Sequence, residues 1–401
     1  MGVWGKDCKW AHRPLAPSPK KPTMTTLRKQ YLGKARRVVL KLGSAVLTAP
    51  DGLNHSLIQA LVAEMAALRA DDHHFILVSS GAIAAGMRKL GLAERPAGIP
   101  QQQAVAAAGQ SILMYSYEEA FAAHGLNVAQ ILLTHEDLAA RSRFLNARNT
   151  LFTLLQWDVV PIINENDTVA TDELKFGDND NLAALICNLA DADLLIILTD
   201  IDGLYDRDPR EDPEARLIPL IEPTDPLLDK APGRRPGAMG RGGMLSKLQA
   251  VKKAATAGVP SIIANGLTPG ILQTIFSGRE VGTLCQATGQ KLKSRQHWLA
   301  YNVNPKGVIL VDPGARKALV SRGKSLLPAG ILEVFGGFGK GAPVHLVDPD
   351  GQPFAIGLTN YSAQDIARIK GRKSKEIAQA LGHKDYDEVI HRDNLVIFPE
   401  I

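Results

Sequence analysis

The sequence predicts an α/β fold, a three-layer sandwich whose mostly parallel sheet carries helices on both faces, followed by a smaller β-rich domain. Three observations carry this. Runs such as Val38–Leu42 and Leu194–Leu198 are aliphatic almost throughout rather than at alternate positions, as strands covered on both faces are. Each run is separated from the next by a stretch of helical period, the rhythm of βαβ units. Beyond residue 306 that rhythm gives way to short strands and glycine turns. The expected organisation is a basic, disordered extension over 1–37, the α/β domain over 38–290, a polar linker over 291–305 and the β-rich domain over 306–385.

Bulk properties agree. A chain of 401 residues, 45% hydrophobic and 5% aromatic, is long enough for two domains and reads as globular and aliphatic. Cys8, Cys187 and Cys285 form no spaced pair. A disulfide framework or zinc site is therefore not expected, and a reducing, cytoplasmic setting is. No apolar run reaches the roughly 18 residues of a membrane span. The net charge of +5 is unevenly placed. Residues 1–37 hold ten Lys/Arg against Asp7 alone, so residues 38–401 are net −4 and the basic excess, which belongs to the tail, says little about nucleic-acid binding by the body.

Residues 1–37 contain Pro14, Pro17, Pro19 and Pro22 and no apolar period, hence the expectation of disorder. They lack the apolar core of a secretory signal; a transit peptide or a start site misplaced upstream of Met24 are the alternatives. Val38–Leu42 is a buried strand with Lys41 inside it, running into Gly43. A buried lysine is costly without a partner. At a strand's carboxyl end the natural partner is an anion; the plain alternative is an edge lysine facing water. His55–Ala70 has helical spacing, and Phe75–Ser79 is the next strand. It opens into Ser80-Gly81-Ala82-Ile83-Ala84-Ala85-Gly86, where small residues at a helix start can bring backbone N–H groups to a phosphate or carboxylate. Tight helix–strand packing would explain the same residues.

A long Ala-rich helix (Gln101–Ala123), a strand (Val128–Leu133), a helix (Phe144–Trp157) and a strand (Val159–Asn164) follow. The stretch Gly177-Asp178-Asn179-Asp180-Asn181 then precedes a helix over Leu182–Ala190. Helix capping needs one such polar residue, and four exceed that need. Leu194–Leu198 is a strand ending in Thr199-Asp200. Residues 203–243 hold seven prolines and read as a long functional loop or lid. Met244–Ala257 is helical with Lys247 in its first turn, where a cation opposes the helix dipole unless an anion docks there. Val259–Ala264 is a strand, Thr268–Phe276 a helix and Thr283–Ala287 a final edge strand. In the β-rich domain the strands are Val308–Val311, Ile331–Phe335, Val344–Val347 and Phe354–Leu358, with a helix over Ser362–Ile369 and a small tail.

The polar clusters at Gly43, Ser80, Asn164–Asp167 and Thr199-Asp200 all fall at the carboxyl ends of strands, where open α/β sheets bind ligands. Neither a Walker A sequence, nor a nucleophile elbow, nor a metal-binding His pair is present. Two lysines, glycine turns and an amide-rich acidic pocket are the parts phosphoryl transfer requires, to bring anions together and neutralise the charge in flight.

Together Lys41-Leu42-Gly43-Ser44, Ser79–Gly86, Phe144–Arg148, Asn164–Asp167, Gly177–Asn181, Leu198–Asp200 and Gly242–Met244 resemble the glutamate 5-kinase family, an amino acid kinase fold followed by a PUA domain. The resemblance spans about residues 38–385. It implies ATP-dependent phosphorylation of the γ-carboxylate of L-glutamate, the first step of proline synthesis. It also implies feedback by proline, Mg²⁺, hand-over to glutamyl phosphate reductase and a dimer or tetramer. By motif match, Lys41, Lys247, Asp178 and Asp180 are catalytic, with Asp180 as a metal candidate. Ser80, Gly81, Asp167 and Asn179 hold substrate. Lys41, Gly43, Thr199, Asp200, Arg241, Gly242, Gly243, Met244, Leu245, Ser246 and Lys247 hold ATP, with the Gly43 and Gly81 N–H groups beside the phosphate. Arg241 stands where the family has a small hydroxyl residue, and Leu245 where it has Ser or Thr. PUA-like domains resemble RNA-binding modules, but the acidic body and the absence of a dense basic-aromatic patch in 306–340 place RNA binding behind the kinase reading. An amino acid kinase with another acidic substrate, such as aspartate or N-acetylglutamate, is the nearer alternative.

Overall fold

The computed structural model describes residues 23–49, 52–170, 179–226, 243–287 and 305–398. Its first part opens with α1 (Met24–Leu32), β1 (Arg37–Leu42), α2 (Ser44–Leu47), β2 (Thr48–Ala49), β3 (Gly52–Leu53), α3 (His55–Arg69) and β4 (His74–Ser79). Next come α4 (Ala82–Lys89), α5 (Ile99–Ala122), β5 (Val128–Leu133), α6 (His135–Ala139), α7 (Arg141–Gln156), β6 (Val160–Glu165), α8 (Asn179–Leu189) and β7 (Leu194–Thr199). The part closes with β8 (Leu220–Ile221), α9 (Gly243–Thr256), β9 (Ser261–Asn265), α10 (Ile271–Phe276) and β10 (Thr283–Cys285).

These strands form one eight-stranded sheet in the order β5-β6-β4-β1-β7-β9-β10-β8, parallel except where β10 meets β9. The chain leaves β1 toward β4, β6 and β5, then returns to β1's other side at β7. That reversal opens a crevice at the carboxyl ends of the central strands.

Period-two alternation sorts each strand between two cores. Val39, Ile76, Val78, Ile163, Leu195, Ile197 and Ile263 face one core with residues of α8 and α9. Val38, Leu40, Leu42, Leu77, Ile162, Ile196 and Leu198 face the other, with α3 and α5. Each fully buried aliphatic side chain contributes about 1.5–3 kcal/mol. The alternation also decides where Lys41 goes: sharing a face with Val39, it points to the layer of α8 and α9.

Helices α4 and α5 cross unusually closely. A Cβ on Gly86 would stand 1.8 Å from the Val105 carbonyl oxygen, and one on Gly109 1.9 Å from that of Ala82. Only glycine at both positions allows α5 to lie against the start of α4. At its far end α8 is tied down by Arg148, whose guanidinium donates to the Leu189 carbonyl at 2.7 Å and pairs with Asp191 at 2.5 Å.

The second part has β11 (Gly307–Val311), α11 (Pro313–Arg322), β12 (Ile331–Phe335), β13 (Pro343–Val347), β14 (Pro353–Leu358), α12 (Ala363–Ile369), α13 (Ile377–Leu381) and β15 (Leu395–Ile397). Its sheet runs β12-β11-β13-β14-β15 around its own apolar cluster.

Four expectations need correction. Within 1–37, expected to be disordered, residues 24–32 are helical and Arg37 begins β1. The Arg28 side chain is fully buried and donates to the Arg279 and Gly282 carbonyls at 3.2 and 3.3 Å. Those bonds tie α1 to the β9–β10 connection, a long-range partner that local periodicity cannot show. Thr283–Cys285 is not an edge strand, because β8, a two-residue strand from the proline-rich loop, pairs outside it. Asn179 and Asp180 lie in the first turn of α8 rather than ahead of it. Finally, the tail beyond 385 supplies β15, and Pro313–Arg322 adds a helix capped by the Asp312 carboxylate. Much of the expected lid, residues 227–242, lies outside the described residues.

Candidate active site

At the carboxyl end of β1 the buried Lys41 ammonium lies 2.6 Å from Asp180 Oδ1. The other oxygen of Asp180 accepts from Ser246 Oγ at 2.6 Å and pairs with Lys247 Nζ at 3.3 Å. Three elements thus converge: β1, the first turn of α8 and the first turn of α9. Isolated burial of these charges would cost several kcal/mol each, and only mutual pairing makes the arrangement tolerable. Burial pushes the Asp180 carboxyl up. The charges of Lys41 and Lys247 and the bonds from Lys41 and Ser246 outweigh it and hold the group below the usual carboxylate range. A carboxyl lowered in the folded state stabilises above its ordinary pKa, about 3.9, and that contribution is lost as pH falls through the lowered value. Held below the usual carboxylate range, Asp180 is ionised at neutral pH and acts as an electrostatic anchor for two lysines, not as a proton carrier.

Beside this trio lies a cavity of about 270 Å³. Its lining includes Ser44, Ser80, Gly81, Asn164, Asp167 and Asn179. Gly81 has φ 107° and leads into α4, so the first N–H groups of that helix open on the cavity. The buried amide nitrogen of Asn179 lies 3.0 Å from the Ser79 carbonyl oxygen, 2.9 Å from Ser80 Oγ and 3.1 Å from Asn164 Oδ1. Asn164 Nδ2 in turn donates to Gln110 Oε1 at 2.8 Å. The cavity is lined by both signs of charge, Asp167 and Glu165 against Arg95.

On the other side of β1, Thr199 Oγ1 donates to Asp200 Oδ1 at 3.1 Å, and Asp200 Oδ2 pairs with Arg210 at 2.6 Å. Asn265, at the end of β9, donates to Asp202 at 3.0 Å. These groups rim the crevice at the ends of β7 and β9.

Of the sequence-predicted site residues, Ser80, Gly81, Asp167 and Asn179 line one cavity, and Lys41, Asp180, Ser246 and Lys247 form one cluster. Thr199 and Asp200 sit at the neighbouring strand end. Met244 packs on the core and Leu245 is half-buried in the first turn of α9, which Gly243 opens. Asp178, Arg241 and Gly242 lie outside the described residues. One expected contact is corrected: the Gly43 N–H donates to the Leu198 carbonyl at 3.2 Å and so is not free for a phosphate. Gly43 contributes space instead, since a Cβ there would stand 3.6 Å from Lys41 Nζ and 3.3 Å from the Leu198 oxygen.

Sequence reasoning missed Arg95 and Gln110. Arg95 lies in a Pro/Gly-rich connection with no period, and Gln110 is one of several glutamines in an Ala-rich helix. Neither spacing nor composition marks them; only the fold brings Arg95 to the cavity wall and Gln110 to Asn164 behind it.

Residues 36–265 match the amino acid kinase family and residues 307–381 match the PUA domain. The chain is 53% identical over 372 residues to a glutamate 5-kinase of Geobacter sulfurreducens, covering 92% of this chain and 100% of the relative. It is 54% identical, with the same coverage, to a glutamate 5-kinase of Geobacter metallireducens. It is 51% identical over 374 residues to one of Syntrophus aciditrophicus, covering 93% of this chain and 97% of that relative.

Proposed function

This chain belongs to the amino acid kinase family, in its glutamate 5-kinase branch, and on that premise we propose that it transfers the γ-phosphoryl group of ATP to the γ-carboxylate of L-glutamate. The products are L-glutamyl 5-phosphate and ADP, the first step of proline biosynthesis. The observation that carries the reading is the pairing of Lys41 and Lys247 on Asp180 next to a cavity lined by both signs of charge. Two convergent cations suit phosphates in transfer, and a cavity of mixed charge suits an α-amino acid.

A γ-carboxylate oxygen attacks the γ-phosphorus, and the bond to the β–γ bridging oxygen breaks as ADP leaves. The nucleophile is ionised at neutral pH, with an ordinary pKa of about 4.3, so no general base is required. Lys41 and Lys247 neutralise the charge that spreads over the transferring group. Ser80, Asn179 and the N–H groups at the start of α4, beginning at Gly81, hold the acceptor. Asp167 takes its α-ammonium, and Arg95 is suited to its α-carboxylate. Thr199, Asp200 and the segment Arg241–Lys247 hold the nucleotide. Among the described residues there is no group of three His, Cys, Asp or Glu able to hold a metal ion. Mg²⁺ commonly uses one or two carboxylates together with nucleotide phosphates, and Asp180 would be one such carboxylate, sharing its oxygens with the lysines that pair with it here. When bound, the ion supplies neutralisation of the phosphate charge.

The same reading includes proline feedback, a dimer or tetramer, delivery of the labile acyl phosphate to glutamyl phosphate reductase, and a cytoplasmic setting. Among the described residues no helix is long and apolar enough to cross a membrane.

The test is hydroxylamine trapping of acyl phosphate from ATP and Mg²⁺, with L-glutamate, L-aspartate and N-acetylglutamate in parallel. Product from glutamate alone is expected. Product from one of the others and none from glutamate overturns the substrate assignment. Asp167→Ala is expected to raise the glutamate KM at least tenfold, about 1.4 kcal/mol, and to leave the ATP KM in place. An unchanged glutamate KM moves the ammonium contact elsewhere.

A further inference from the structure

Three side-chain amides run in line from α5 to α8: Gln110, Asn164 and Asn179. Their orientation is forced from one end. The Ser79 carbonyl oxygen can only accept, so the atom of Asn179 that lies 3.0 Å from it must be its nitrogen. Asn164 therefore turns its oxygen to Asn179, at 3.1 Å, and its own nitrogen to Gln110 Oε1, at 2.8 Å. The nitrogen of Asn179 also lies 2.9 Å from Ser80 Oγ, so its two hydrogens serve three acceptors and one of them is shared. A hydroxyl oxygen that accepts from an amide keeps its proton to donate elsewhere, and Ser80 lines the acceptor cavity. The chain of amides thus converts one backbone carbonyl into a fixed donor direction at the cavity wall.

We propose that Gln110 is a positioning residue for the acceptor. By holding Asn164 it keeps the Asn164–Asn179–Ser80 chain in a single orientation, with the Ser80 hydroxyl as a donor to a substrate carboxylate. The inference rests on the reading of this cavity as the acceptor site. Gln110 reaches Asn164 because the Gly86–Gly109 crossing sets α5 against the start of α4. Gln110 does not line the cavity, so its effect on substrate passes through Asn164. Its own Nε2 is buried without a hydrogen-bond partner.

The experiment compares Gln110→Met, which keeps the volume and removes the acceptor, with Gln110→Glu, which keeps an acceptor oxygen. Both are read against Asn164→Leu and the Gln110→Met/Asn164→Leu double variant, in steady-state assays of the full chain. Gln110→Met is expected to raise the glutamate KM about tenfold, the worth of one net hydrogen bond. Its kcat stays within about twofold and its ATP KM is unchanged. Gln110→Glu stays within about threefold of the wild-type glutamate KM. The double variant is no worse than Asn164→Leu alone, as residues acting through one contact require. An unchanged KM in Gln110→Met overturns the proposal. So does an equal loss in kcat and both KM values for Gln110→Met and Gln110→Glu, and so does full additivity in the double variant. Wild type in the same plates separates the two inferences. If it phosphorylates a different carboxylate, the glutamate assignment fails and the relay is read on that acceptor. If it phosphorylates none, both fail.

Discussion

Lys41→Ala is expected to lower kcat about 10²–10³-fold, the loss seen when one donor aimed at developing charge is removed. Lys41 extends from a strand buried between two cores, so its ammonium has a fixed approach to the crevice. The loss should fall on kcat more than on either KM, because the contact strengthens as charge spreads over the transferring group. The fold should survive: β1 keeps Val38, Val39, Leu40 and Leu42 in the two cores, and Asp180 keeps Ser246 and Lys247. A cooperative melt alongside the assay checks this. Wild-type turnover by a folded Lys41→Ala protein would remove Lys41 from the chemistry.

Asp180→Asn is expected to damage both stability and rate. Breaking a buried ion pair by removing one partner costs about 3–5 kcal/mol, because the remaining charge stays buried. Here two cations lose their common anion. Even about 3 kcal/mol would lower Tm by roughly 6–12 °C in a domain of this size. Turnover should fall at least about tenfold, since the lysines no longer hold their positions. ATP distinguishes this account from simple unfolding. Its phosphates restore an anion between the lysines, so saturating ATP should raise Tm more in the variant than in wild type. Equal ATP-induced shifts in the two proteins would falsify the view of Asp180 as the anchor of both lysines.

The two variants differ in what they reveal about pH. In wild type the lowered Asp180 carboxyl contributes stability that is lost only in acid. In Lys41→Ala one of the causes holding it down is gone, so its loss begins at a higher pH.

What the sequence determined was the layered α/β plan and the sheet edge at which to look for ligands. Continuous aliphatic runs report burial on both faces, and that information is local. So are the accumulation of Asp, Asn, Ser and Gly after strands, which marked Ser80 and Asp167, the polar excess before α8, which marked Asn179 and Asp180, and the misplaced cations Lys41 in a buried strand and Lys247 at a helix start. The tertiary structure decided what those groups face. Alternation along β1 could be read from the chain, but not that α8 and α9 would occupy the layer Lys41 points to, and so not that Asp180 would bind both lysines. The same holds for Arg28, whose partners lie some 250 residues away, and for the Gly43 N–H, used by the neighbouring strand rather than left for a ligand. Gln110 is the clearest case. Nothing along α5 distinguishes it from the other glutamines, and its place follows from two glycines that let helices cross at backbone contact. Side-chain direction and strand burial are short-range properties written in residue order. Hydrogen-bond partners and charge pairs are set by packing between elements distant in sequence, and only the folded chain fixes them.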